Sequence, residues 1–250
     1  MKISILTVTY NSAATLRETL ESVRKQDYPQ VEHVVVDGQS TDGTLDIIRS
    51  YPHITRWISE KDNGIYDAMN KGVALATGDI VGILNSDDIY QDSTVLARVM
   101  ETFVNDHCDA VYGDLVYVDP DQTSKVRRYW KSGHYNPGSF RWGWMPPHPT
   151  FFVRRSLYER FGVFRTDFRT AADYELMLRF IHRHRATLSY VPKVLVRMRD
   201  GGASNQNLGS RLRANQEDRR AWEVNGLDPY WFTLYLKPLR KIGQFFLSEP

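Results

Sequence analysis

The chain has a single cysteine, Cys108, in 250 residues. An internal disulfide framework is therefore excluded, and a reducing compartment is the expected setting. No apolar stretch approaches the length needed to span a bilayer. The opening Met1-Lys2-Ile3-Ser4-Ile5-Leu6 is already strand-like and too short for a signal h-region. The formal net charge of +2, with no long basic run, gives no basis for a nucleic-acid partner. Neither G-x-G-x-x-G nor G-x-x-x-x-G-K-[ST] occurs, which weakens dinucleotide and P-loop readings; phosphates would have to be held by a metal instead. What remains is globular material, 42% hydrophobic and 25% charged, long enough for one large α/β domain or a domain with a tail. The expectation is a cytoplasmic α/β protein.

The chain is organised around Ile80 to Asp88. Ile80-Val81-Gly82-Ile83-Leu84 reads as a buried, parallel strand, and Asn85-Ser86-Asp87-Asp88 as its polar exit. In open α/β sheets the edge beyond the carboxyl ends of the strands is where ligands bind. Two adjacent carboxylates there repel each other unless a cation or a donor-rich ligand lies between them. Hard oxygen ligands suit Mg²⁺ or Mn²⁺. Taken alone, the pair reads equally as a helix cap before Ser93-Thr94.

Ile3 to Val8 is a first strand leaving through Thr9-Tyr10-Asn11-Ser12, followed by a capping-box pattern at Thr15-Leu16-Arg17-Glu18 and a helix marked by Leu16, Leu20 and Val23. His33 to Asp37 is a second strand, and Gly38 to Thr44 is turn chemistry before a short helix through Ser50. Arg56 to Ser59 is a third strand; Ile65, Ala68, Met69, Gly72, Val73 and Ala76 mark a helix closed by Gly78. This alternation predicts a parallel sheet with right-handed crossovers. Three strands then end in polar or acidic residues: Tyr10-Asn11, Asp37 and Asp87-Asp88.

Thr7-Val8-Thr9-Tyr10-Asn11, Val36 to Thr44, Asp62-Asn63-Gly64 and Asn85-Ser86-Asp87-Asp88 together resemble, in order and spacing, family 2 glycosyltransferases of the GT-A fold. The resemblance is strong over about the first 90 residues and looser beyond. It implies a nucleotide-diphosphate-sugar donor, inverting transfer and a Mn²⁺ or Mg²⁺ cofactor. It implies that Thr7 and Tyr10 contact the base, the ring of Tyr10 stacking, and that Asp37 accepts a base imide N–H, which favours a UDP-sugar. Asp62, Asn63 and Gly64 line the nucleotide, Asp87 holds ribose or sugar, and Asp88 binds the metal. The Q-x-x-R-W motif of processive synthesis is missing, so one sugar per encounter is expected.

The second half reads less regularly. Ala110 to Asp114, Val116 to Val118 and Val126 to Trp130 are expected as antiparallel edge strands, and His148 to Val153 as a strand re-entering the sheet. Gly133 to Pro149 is rich in glycine, proline and aromatics. It reads either as an acceptor loop, with Trp142, Trp144 and His148, or as a cover over the core. Thr170 to Leu176 resembles the family's Glu-Asp segment, whose Asp is the catalytic base. Asp173 is the matching residue, although Ala172 replaces the Glu, and Glu175 is the fallback. Val196 to Asn205 reads as a basic, Gly-rich loop in which Arg199, with the Gly201-Gly202 amides, closes over the diphosphate. Beyond it, Leu239, Ile242 and Phe246 share one helical face, and Lys237, Arg240, Lys241 and Gln244 the other. Such a helix suits an anionic membrane surface or packs on the enzyme.

The expected organisation is a GT-A domain over 1–205, divided into a nucleotide-sugar half (1–105) and an acceptor half (106–205), and a helical extension over 206–250. The expected acceptor is a lipid-linked glycan at the inner face of the membrane, as in surface polysaccharide assembly. A sugar-1-phosphate nucleotidyltransferase and a non-catalytic nucleotide-sugar binding module stay open as alternatives.

Overall fold

Alternation along the first strand fixes the two faces of the sheet. In β1 (Ile3–Thr9), Ile3 and Ile5 pack with Val23, Val95, Leu96 and Val99, whereas Leu6 and Val8 pack with Ala68, Met69 and Val73. Each set belongs to a helix layer: α1 (Leu16–Arg24) and α4 (Val95–Asp106) on one face, α3 (Ile65–Leu75) on the other. Burial on both faces is what a parallel strand requires, and every residue of β1 is buried. The structure, a computed structural model, describes residues 1–201, 208–240 and 244.

β2 (Val31–Asp37), β3 (Ile54–Ser59) and β4 (Ile80–Ile83) join β1 in the parallel order β3-β2-β1-β4, with α2 (Thr44–Arg49) after β2. Thr9 lies opposite Asp37, and Asp37 opposite Ser59, so the strands finish at one edge. The sheet continues through β8 (Phe152–Arg154), β6 (Ala110–Val118), β9 (Leu188–Arg199) and β5 (Ile89–Tyr90), while β7 (Val126–Trp130) pairs with β6. α5 (Arg155–Phe161) follows β8, and α6 (Ala172–Met177) runs on into a π-helical turn over Leu178–Arg183. The last helices are α7 (Leu208–Val224) and α8 (Thr233–Leu239). Trp222 of α7 and Leu234 of α8 are buried in the same core as Leu6 and Val34, so these helices close the body of the molecule.

Several local expectations are corrected. Ala110 to Val118 is one strand inside the sheet, parallel to β9 and antiparallel to β7 and β8; register shifts at Gly113/Asp114 and Asp114/Leu115 absorb the interruption that the polar Gly-Asp pair suggested. Val196 to Arg199 is not loop but the end of β9, and Gly202 to Asn205 lie outside the described residues. His148–Thr150 is a 3-10 turn, and the strand begins at Phe152. Thr15 does not cap α1; its hydroxyl donates to Ser86 O at 2.9 Å instead. Gly78 does not close α3, which ends at Leu75. It lies so close to β1 that a Cβ there would stand 2.7 Å from Ser4 N.

Candidate active site

The loops leaving β1, β2 and β4 are tied to one another by side chains of the motif residues themselves. Asn11, in the left-handed region at φ 49, accepts from Thr41 N at 2.9 Å and donates its amide to Ser40 Oγ at 2.8 Å. Ser12 N donates to Thr44 Oγ1 at 2.9 Å, and the Ser12 hydroxyl shares a 2.9 Å hydrogen bond with that of Ser86. Thr19 Oγ1 reaches back to Asp88 O at 2.8 Å. The polar exits of three strands thus form one rim.

On this rim Tyr10 is 65% exposed, a free ring face of the kind a base stacks on. Beside it, Gly38 is glycine for want of space: a Cβ would stand 2.5 Å from Asp62 Oδ2 and 3.4 Å from Tyr10 Cδ2. Asp62 Oδ1 accepts Gly64 N at 2.9 Å and shapes the turn, with Asn63 and Gly64 exposed to solvent. Tyr10, Asp62, Asn63 and Gly64 are brought together. Thr7 is not: it is fully buried, its hydroxyl bonded to His33 Nε2 at 3.0 Å, because its side chain points into the sheet layer. Asp37 is at the rim but buried, accepting from Ser40 N (2.9 Å), Ser40 Oγ (2.5 Å) and Ser59 Oγ (2.6 Å). Its carboxylate holds the β2 loop in place rather than facing solvent.

Asp88 is short of donors. It is fully buried; Oδ2 accepts from Asn85 Nδ2 at 3.1 Å, while Oδ1 and the neighbouring Asn85 Oδ1 have no partner among the described residues. Burial, then the charge of Asp87, pushes the Asp88 carboxyl well above the usual range; burial raises Asp87 too, against a hydrogen bond from its own backbone amide and the pull of Arg199. Orphaned carboxylate and amide oxygens side by side are what a hard divalent cation satisfies. Among the described residues no group of three or more His, Cys, Asp or Glu forms a self-sufficient metal cage. The pair therefore fits an ion that takes its remaining ligands from phosphate and water.

Arg199 does not close over a diphosphate in this structure. It is buried beneath the acidic loop, donating from Nη1 to Asp87 O at 2.6 Å and from Nε to Pro120 O at 3.2 Å, and pairing through Nη2 with Glu18 at 2.8 Å. As the last residue of β9 it braces the loop that carries Asp87 and Asp88.

Across the rim, Asp173 stands half-exposed in the first turn of α6, and Tyr66 Oη, on α3 just beyond the Asp62–Gly64 turn, donates to its Oδ1 at 3.2 Å. His148 is partly buried nearby, its Nε2 atom buried and without a partner among the described residues; burial lowers its pKa against the opposing charge of Asp173, so the ring is neutral. Glu175, the fallback base, is instead locked inside, with its oxygens 2.9–3.0 Å from Arg179 and Asn225. Removing such a buried ion-pair member typically costs about 3–5 kcal/mol, which marks a structural residue. Trp144 is also structural: its Nε1 donates to Ser132 O at 2.8 Å and its ring packs against Tyr112, Tyr135 and Phe140. Trp142 stays 55% exposed, tilted on Phe232 at 5.2 Å.

Two site residues were not legible in the sequence. Tyr66 lay between marked core positions of its helix, and Glu217 looked like one more charge on α7. Glu217 accepts the amides of Arg169, Thr170 and Ala171 at 2.8–3.0 Å and so fixes the segment that leads into Asp173. The only sequence signal for Tyr66 is its place two residues after Gly64.

Comparisons with known proteins agree on kind. The model of the family described as glycosyl transferase family 2 matches residues 4–166. A PGL/p-HBAD biosynthesis glycosyltransferase of Mycobacterium tuberculosis (strain ATCC 25177 / H37Ra) is 32% identical over 220 residues, spanning 81% of this chain and 78% of its own. Among solved structures, Staphylococcus aureus TarS 1-349 in complex with UDP-GlcNAc has a TM-score of 0.70 at 20% identity; the match covers 90% of this chain and 65% of TarS 1-349. The mannosyltransferase PcManGT from Pyrobaculum calidifontis, in complex with GDP-Man and Mn²⁺, has a TM-score of 0.66 at 23% identity, covering 99% of this chain and 70% of its own.

Proposed function

Because the chain belongs to glycosyl transferase family 2, and is a glycosyltransferase of the GT-A fold, we propose that it moves one sugar from a nucleotide-diphosphate sugar to an acceptor hydroxyl with inversion. The observation that carries this reading is the orphaned carboxylate oxygen of Asp88, next to Asp87, on a rim shared with Tyr10, Asp62 and, through Tyr66, Asp173.

Tyr10 offers its ring to the base and the Asp62–Gly64 turn lines the nucleotide. Asp88 would hold Mn²⁺ or Mg²⁺, with Asp87 beside it on the ribose or donor sugar; when bound, the ion would supply Lewis-acid stabilisation of the diphosphate charge, worth several kcal/mol. Asp173 takes the proton from the acceptor hydroxyl as its oxygen attacks the anomeric carbon. The bond from that carbon to the diphosphate oxygen breaks, the nucleoside diphosphate leaves, and the configuration inverts. Most of the remaining acceleration comes from holding the two substrates in line. His148 Nε2 is the buried atom left over for an acceptor hydroxyl. The UDP-GlcNAc of TarS and the GDP-Man of PcManGT define the first donors to try.

We place the acceptor on a lipid carrier. Trp231, in the turn before α8, and Tyr235 and Leu239 on it follow one another at four-residue spacing, and all three are exposed. No helix among the described residues is long and apolar enough to cross a membrane, so contact would be peripheral. The aromatic face carries the contact here, because Lys237 turns inward onto Asp218 at 2.7 Å and Gln244 is buried; Lys241, Ile242 and Phe246 lie outside the described residues.

Incubation with a panel of UDP- and GDP-sugars and Mn²⁺ tests the reading. Nucleoside diphosphate should appear, and Asp173→Asn should abolish its release while still binding donor. Pyrophosphate release would instead indicate nucleotidyl transfer, and binding without release a sensor module.

A further inference from the structure

We infer that Tyr66 is the positioning residue for Asp173: its hydroxyl holds one carboxylate oxygen so that the other is presented to the acceptor. The inference rests on Asp173 being the base. The Tyr66 hydroxyl makes the one side-chain hydrogen bond that Asp173 receives among the described residues, at 3.2 Å to Oδ1. Without it the carboxylate, at the partly exposed start of α6, would be free to turn about its side-chain torsions.

Tyr66 is itself held. Its ring stacks on Phe164 with centroids 5.9 Å apart and planes 18° from parallel, and Phe164 is clamped to the same helix through both its backbone groups. Asn70 Nδ2 donates to Phe164 O at 2.8 Å, and Phe164 N donates back to Asn70 Oδ1 at 2.9 Å. His148 closes the far side, its ring edge-on to Phe164 at 5.9 Å. Burial, reinforced by the charge of Asp173, pushes the Tyr66 phenol far up, so it is a hydrogen-bond donor at any working pH. The groups facing Asp173 are thus the neutral phenol from α3, the neutral imidazole of His148 before β8, and the amides of α6's own first turn.

The arrangement has a consequence for catalysis. Tyr66 follows the Asp62–Gly64 turn by two residues on the first turn of α3. The base is thereby referenced to the element that lines the donor, not to the acceptor loop. A base misplaced by about 1 Å can lose roughly 100-fold in rate, so a single hydroxyl at this joint matters more than its hydrogen-bond energy.

Tyr66→Phe tests this, since it keeps the stacked ring and removes the hydroxyl. Melting should stay close to wild type. Nucleoside diphosphate release from UDP-GlcNAc or GDP-mannose with Mn²⁺, water serving as acceptor, should fall roughly 10- to 100-fold in kcat with KM for donor unchanged. A wild-type kcat would overturn the inference. Turnover retained in Asp173→Asn would instead overturn the base assignment beneath it, so the two failures are distinguishable. Independently of turnover, the Asp173 carboxyl ¹³C resonance, assigned by its loss in Asp173→Asn, should shift in Tyr66→Phe, and an unmoved resonance would also count against it.

Discussion

Glu32 and Asp88 are buried carboxylates of the same sheet that differ in how many donors reach them. Glu32 takes hydrogen bonds from Lys2 Nζ (2.9 Å), Ser4 Oγ (2.5 Å), Thr77 N (2.7 Å) and Thr77 Oγ1 (2.7 Å). Burial alone would raise its pKa, but these donors outweigh it and hold the group at about 2 against an ordinary 4.5. Asp88 has one such donor, Asn85, and goes the other way. One side chain is satisfied by the fold, and the other keeps an oxygen without a partner among the described residues. The depressed value of Glu32 makes it a source of stability that is fully present above pH 4.5 and lost as pH falls toward about 2. Glu32→Gln should therefore lower stability at neutral pH by about 1–3 kcal/mol and flatten the acid side of the curve. Denaturant titrations from neutral pH downward check this; an acid slope equal to wild type would contradict it.

At the scale of elements, what the sequence disclosed depended on how local its cause was. The four parallel strands and α1 to α3 were legible because apolar periodicity, turn residues and the strand-end acids lie within a few positions of one another. The second half was not, because its order is decided by partners far away in the chain. Ala110 to Val118 is a single central strand only once β8 and β9 flank it. Arg199 read as a loop cation because nothing near it in sequence announces Glu18 or Asp87 as its partners. Likewise Glu217 acts on residues 169–171, nearly fifty positions back. In α8, spacing suggested a free basic face, but Lys237 is drawn inward by Asp218, a partner nineteen positions away. An exposed face of Trp231, Tyr235 and Leu239 favours the interfacial zone of a bilayer. Sedimentation with phosphatidylglycerol vesicles should thus drop several-fold in a Trp231→Ser, Tyr235→Ser double variant of unchanged melting temperature. Equal binding by the two proteins would remove α8 as the contact.

For the molecule as a whole, one curled sheet carries two chemistries on one rim. The parallel order β3-β2-β1-β4 delivers the residues proposed for the donor, and the antiparallel turn through β8 into β6 and β9 brings Asp173 and the Arg199 brace around to meet them. α7 then secures the arrangement, because Trp222 Nε1 donates to Tyr174 Oη at 2.8 Å, next to Asp173 in the chain. The joint between the two halves is Tyr66 to Asp173 on one side and Arg199 to Asp87 on the other. The claim on which this account turns is that a divalent ion on Asp88 completes the nucleotide site. Calorimetric titration of UDP and of GDP into the protein, with Mn²⁺ and with EDTA, in wild type and Asp88→Asn, measures it directly. The account predicts that one of the two nucleotides binds wild type in Mn²⁺, and that affinity falls at least tenfold both in EDTA and in Asp88→Asn. Nucleotide binding that is indifferent to Mn²⁺ and to Asp88 would contradict it.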